Sequence, residues 1–135
     1  MRRSITALLA VGIAILCSPA RAQIKVPDWP IKPVRIVSPF APGGSSDTLA
    51  RLLAEQLSQK FGVQFFVENK GGAGGLIGTV AVAGAEPDGY TLMISSIGTH
   101  VTAPLTKGKV GYDPVTSFTH IAYIGGPPIV IAVDD

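Results

Sequence analysis

The chain has 135 residues, with eleven Lys and Arg against nine Asp and Glu, and a single cysteine, Cys17. Arg2, Arg3 and Arg21 fall in the first 22 positions, so the remaining 113 residues carry eight bases against nine acids and no cysteine. That balance removes the compositional case for nucleic-acid binding, excludes a disulfide framework after residue 22, and leaves a domain that must be held by its apolar core.

The first segment combines the arginine pair, the uncharged apolar run Ile5–Leu16 and a small-residue end, Ala20 and Ala22. This is the three-part pattern of a secretory leader cut before Gln23, and its apolar run is too short for a permanent span of ~20 residues. Leu16 before Cys17 fits a lipidation site poorly. Residues 23–33 then carry prolines at 27, 30 and 33 and read as an extended arm, with Trp29 as its packing anchor.

Val34, Ile36 and Val37, followed by Phe40, predict a short buried strand that Pro39 ends. Leu49, Leu52, Leu53, Leu57 and Phe61 recur at three- and four-residue spacings, which predicts an amphipathic helix closed by Lys60 and a left-handed Gly62. A second strand is expected over Val63–Glu68, a small-residue helix over Leu76–Val82 with Gly78 for close packing, and a type I turn at Glu86–Tyr90. A third strand over Thr91–Ser95 and a helical turn near Val101–Leu105 follow, then two short apolar runs, Ile121–Ile124 and Ile129–Val133. The repeated unit is strand, glycine or serine break, helix. Such units build an α/β fold with a mostly parallel sheet, and the breaks emerge together at its carboxyl edge, where ligands bind.

The first break holds Gly43 and Gly44, then Ser45 as expected N-cap, with Ser46 and Asp47 in the first helical turn. Free amides at such an end favour a carboxylate or phosphate. Asp47 opposes an anion by charge, so it is expected to brace the loop by accepting backbone hydrogens, or else to meet a ligand ammonium. In the second break, Gly72, Gly74 and Gly78 miss the dinucleotide fingerprint by one residue, and no Gly-Lys-Ser/Thr ending is present. Lys70 beside it is a solvent-facing residue or a countercharge. The third break supplies Ser95, Ser96, Thr99 and His100, suited either to polar recognition or to local capping. Ser45, Asp47 and His100 do not make a nucleophile elbow, because GGSSD lacks the glycine two residues after the serine. His100 and His120 have no close zinc-ligand spacing.

Three segments in order carry a resemblance: WPIKPVRIVSPFAPGGSSDTLARLLAEQL from Trp29, FFVENKGGAGGLIGTVAVAGAEPDGYTLMIS from Phe65, and SSIGTH followed by YDPVTSF. Together they resemble the substrate-binding proteins of tripartite tricarboxylate transporters, the Bug or TctC-type family. The resemblance implies a two-lobed, type II or Venus-flytrap periplasmic protein that is soluble and monomeric, with no cofactor and no covalent chemistry. It implies closure on a small organic carboxylate or an amino acid, held by main-chain amides and bridging waters, and two membrane subunits as partners. The positions it marks are Ala41, Pro42, Gly43, Gly44, Ser45, Ser46 and Asp47, then Gly72, Ala73, Gly74 and Gly75, then Ser96, Thr99 and His100.

Lys70, Gly71, Ala41 and Ser117 depart from the family's usual arginine, proline, proline and aspartate. Family members have roughly 300 residues in two lobes. The expected division is therefore a leader at 1–22, an arm at 23–33, the first part of one lobe at 34–120, and the start of a crossover at 121–135. The rival reading is a secreted α/β interaction module or structural remnant without a small ligand.

Overall fold

The structure, a computed structural model, describes residues 28–125. The expected leader, the arm ahead of residue 28 and the run Ile129–Val133 lie outside the described residues. Three strands, β1 (Val34–Ser38), β2 (Phe65–Asn69) and β3 (Thr91–Met93), alternate with helices α1 (Ser45–Phe61), α2 (Leu76–Ala83) and α3 (Ala103–Lys107). The sheet is parallel in the order β2-β1-β3, with Ile36 level with Val67 and Leu92. This is the mostly parallel α/β lobe expected of a periplasmic-binding-protein-like fold. The crossover from β1 to β2 and the one from β2 back past β1 to β3 run in opposite directions across the sheet, so with the usual right hand α1 and α2 cover opposite faces.

Val34, Ile36 and Phe65 are buried under Ala50 and Ala54 of α1. Each large side chain so buried contributes roughly 2 kcal/mol. The small alanines let the helix lie close to the strand, and they rotate its buried seam to Asp47, Ala50 and Ala54. Leu52, expected on the apolar face, is therefore 55% exposed. Gly62 does end α1 in the left-handed conformation, its amide donating to Ser58 O at 2.9 Å. The Ser58 hydroxyl then accepts from Phe65 N at 2.8 Å, and β2 begins there rather than at Val63. β3 ends at Met93 rather than Ser95, because after Ile94 N has donated to Val37 O its neighbour β1 is about to close at Pro39.

Trp29 anchors the arm by packing edge-on against Phe61 and Phe65 at ring separations of 5.6 and 6.2 Å, and beside Tyr90. Residues 121–125 carry no regular element, and Ile121 and Tyr123 are 78% and 94% exposed. No helix among the described residues is long and apolar enough to cross a membrane.

Candidate functional site

The first break leaves β1 at Pro39. Gly44, in extended backbone with φ −78° and ψ 170°, is the N-cap of α1, and no side chain caps it. The expectation that Ser45 caps the helix is corrected: Gly44 O already accepts from Thr48 N at 3.0 Å, which makes Ser45 the first helical residue and leaves it exposed. Asp47 takes over the side-chain part. Its Oδ2 accepts from Gly43 N at 2.9 Å and from Arg51 Nε at 3.0 Å, and its Oδ1 accepts from Asn69 Nδ2 at 2.9 Å. It reaches one residue further back than a capping box does.

Asn69 closes the ring by donating to Phe40 O at 3.2 Å while its own Oδ1 accepts from Arg51. The Arg51 hydrogen bond, then those from Gly43 and Asn69, pull the Asp47 carboxyl down from 3.8 to about 2. Asp47 is 4% exposed and its oxygens are engaged on the loop. It braces the loop in this structure. Every first-turn helix amide lacks an intrahelical acceptor. Those of Ser45 and Ser46 open beside the exposed backbone of Ala41, Pro42 and Gly43.

The second break runs through Gly72, Ala73, Gly74 and Gly75, all with positive φ (125°, 51°, 71° and 92°), and passes into α2 through a single 3₁₀ turn. It packs against both other breaks. A methyl group on Gly71 would lie 3.4 Å from Ala41 N. One on Gly75 would lie 2.7 Å from Thr99 Cγ2 and 3.2 Å from the Phe40 ring. Gly75 of the second break thus lies against Phe40 of the first and Thr99 of the third. Lys70 is neither free in solvent nor turned to the break, since its ammonium pairs with Glu68 at 3.3 Å.

In the third break the chain turns from β3 into a single wide π turn, Gly98–Thr102, that continues as α3. Thr99 is fully buried. Its hydroxyl bonds to Ser96 O and lies 3.1 Å from His100 Nδ1, and its carbonyl accepts from the Tyr112 hydroxyl. Ser96 O also accepts from His100 N at 3.0 Å. Thr99 therefore shapes the turn, while Ser96 and His100 are half-buried at its surface. The His100 ring packs on Phe118 at 4.9 Å and lies 5.9 Å from His120. Burial, then the charge of His120, holds its imidazole below the ordinary histidine range.

The structure thus brings the predicted residues of all three breaks to one edge, the carboxyl ends of β1, β2 and β3. A cleft of about 710 Å³ lies elsewhere, on the outer flank of β3 against residues 116–122, and of the residues of the three breaks only Ser95 and His100 border it. We take the converging breaks as the candidate site, because they include the amino end of α1, and free amides at a helix end favour an anion. No cluster of metal-ligating side chains occurs among the described residues. Sequence reasoning missed Arg51 and Asn69. The first was legible as the i+4 partner of Asp47; the second comes from 22 positions away and is adjacent only in the fold.

Open α/β sheets bind ligands where strand order reverses, and this lobe, by its similarity to solved periplasmic proteins, belongs to the periplasmic-binding-protein class. Residues 49–135 match the family model described as tripartite tricarboxylate transporter family receptor, TctC, and the chain belongs to that family. It is 36% identical to Protein BugT of Bordetella pertussis over 97% of this chain and 41% of that protein. Among solved structures it is similar to R. palustris Rpa4515 with adipate, at 43% identity and a TM-score of 0.63, over 65% of this chain and 29% of that one. It is also similar to MatC from Rhodopseudomonas palustris with bound malate, at 41% identity and a TM-score of 0.64, over 67% and 31%. The chain spans between 30% and 41% of the length of the first curated relatives it matches.

Proposed function

We propose that the chain supplies the ligand-capturing first lobe of a periplasmic solute-binding protein that delivers a small organic carboxylate to the membrane subunits of a tripartite tricarboxylate-type transporter. The observation that carries this reading is the meeting of the three breaks at Gly75, which lies against Phe40 and Thr99, with the amino end of a 17-residue helix at the same edge. Amides of Ser45, Ser46 and Gly74 hold one carboxylate, the Gly75 amide being taken by Gly72 O; Ser96 and His100 approach from the third break. The helix dipole adds a favourable field at the same point. His100, kept low by burial, meets the ligand as a neutral imidazole at pH 7 and so donates or accepts one hydrogen bond without a fixed charge. Nothing in this binding breaks a covalent bond. A second lobe, of the kind the longer relatives have room for, closes over the exposed side, and closure is the signal the membrane subunits read.

Both similar structures named above carry a dicarboxylate in their descriptions, adipate in one and malate in the other, which favours that class here. The test is calorimetry and thermal melting of the protein expressed from the complete gene, with malate, succinate, adipate, citrate, aspartate, glutamate, nicotinate and terephthalate. A ligand present at a hundred times its dissociation constant stabilises the folded state by about 2.7 kcal/mol, a shift of several degrees. A well-folded protein whose melting temperature ignores all eight at millimolar concentration overturns the proposal. The interaction-module reading gains only in that event.

A further inference from the structure

One cation at the site edge is left out of the ion pairs that occupy its neighbours. Arg51 is held by Asp47, Lys70 and Arg35 by Glu68, and Lys32 by Asp88. Lys107, the last residue of α3, is exposed and has no carboxylate within reach among the described residues. Its side chain instead crosses to the second break, where Nζ donates to Ala73 O at 3.2 Å. The same Nζ would be 3.8 Å from a methyl group on Gly74. An ammonium has three donors, and the carbonyl uses one.

We infer that Lys107 is the specificity residue for a second carboxylate, so that the site prefers dicarboxylates to monocarboxylates of the same length. The inference rests on the carboxylate-binding reading above and deepens it. Backbone amides at the first and second breaks recognise one anionic head and are indifferent to the tail, because every carboxylate presents the same two oxygens. A single ammonium at the rim of the second break discriminates by charge. It attracts a second carboxylate by charge and offers an uncharged amide tail only a weaker hydrogen bond. Its bond to Ala73 O fixes the ammonium over the break without neutralising it, and the four-carbon stem lets it adjust to tails of different length.

The measurement is calorimetric titration of the protein from the complete gene, as wild type, Lys107→Gln and Lys107→Arg, with succinate, malate and adipate and with the monoamide of each. Glutamine keeps a donor for Ala73 O and removes the charge; arginine keeps both. Lys107→Gln is expected to weaken dicarboxylate binding about five- to tenfold, to change monoamide binding less than about twofold, and to lose most of the difference in high salt. Lys107→Arg is expected to stay within about twofold of wild type for both.

Equal weakening of both ligand types by Lys107→Gln, or a fall of several degrees in its melting temperature, makes Lys107 a tether for the loop and overturns the inference. So does a Lys107→Gln protein with the wild-type preference. Wild-type protein that binds none of these ligands removes the carboxylate-binding reading itself, which separates the two failures.

Discussion

The first and second breaks pack together at Ala41 and Gly71, where a methyl group on the glycine would lie 3.4 Å from Ala41 N, yet they are held in opposite ways. The first is tied by a charged hub: one buried carboxylate gathers an amide of its own loop, an arginine one helical turn on, and an asparagine from the end of the neighbouring strand. The second is held largely by shape. Its chain passes through four successive positive-φ residues, and Gly75 lies against Phe40 and Thr99, as Gly78 in the helix that follows lies against Pro39 and Lys70, with no space for a side chain at either. A hub can be weakened by a proton or a single amide, whereas a steric fit answers only to volume. The two halves of one binding edge should therefore fail under different insults.

The largest expected effect is on the shape-held side. Gly78, on the buried face of α2, would place a methyl group 2.6 Å from Lys70 O and 3.0 Å from Pro39 Cα. Both are backbone atoms, so no side-chain rotation relieves the clash. Gly78→Ala should gain helix propensity and still lose about 2–3 kcal/mol, because α2 must move away from the end of the sheet. Denaturant unfolding measures it. A variant as stable as wild type would show that α2 packs less closely than its glycine indicates.

The hub side should respond to pH. The Asp47 carboxyl is lowered in the folded state from 3.8 to about 2, so the unfolded chain binds the proton first as pH falls. The stabilisation is fully present above the unfolded value, declines between about 4 and 2, and is gone below that. Asp47→Asn presents an amide to donors from Gly43, Arg51 or Asn69, leaving at least one of them without an acceptor. Its melting temperature should fall by several degrees at neutral pH, and the difference from wild type should shrink as pH drops from about 4 to 2. A pH-independent difference would locate the effect in packing instead of charge.

Much of this division was legible in the chain itself. Apolar spacing and glycine breaks placed three strands and two principal helices close to where they form, because local periodicity and turn chemistry decide such elements. The bracing part of Asp47 follows from its conflict with an anion at a helix end. Reading failed where the deciding neighbour is remote. Ser45 looked like the cap because serine is a good one, but Asn69 and Arg51 hold Asp47 in a place that makes a serine cap unnecessary. Leu52 was assigned to the core by spacing alone, and the alanines at 50 and 54 turned the seam away from it. Lys107 shows no local sign at all, since its target lies 34 residues earlier.

The smallest effect tests whether the floor between the two breaks belongs to either scheme. Ser38 ends β1 on the face that carries Val34 and Ile36, is fully buried, and its Oγ finds no partner among the described residues, although its carbonyl accepts from Lys70 N at 2.8 Å. A buried hydroxyl without a partner bears its desolvation cost uncompensated. Ser38→Ala removes that group and little volume, and it leaves the carbonyl contact to the second break intact. The substitution should raise stability by about 1 kcal/mol, read from the urea midpoint at constant slope. If stability falls by that amount instead, the hydroxyl is hydrogen-bonded in solution. Ser38 would then be a third polar tie, joining the charged hub of the first break to the close-packed second.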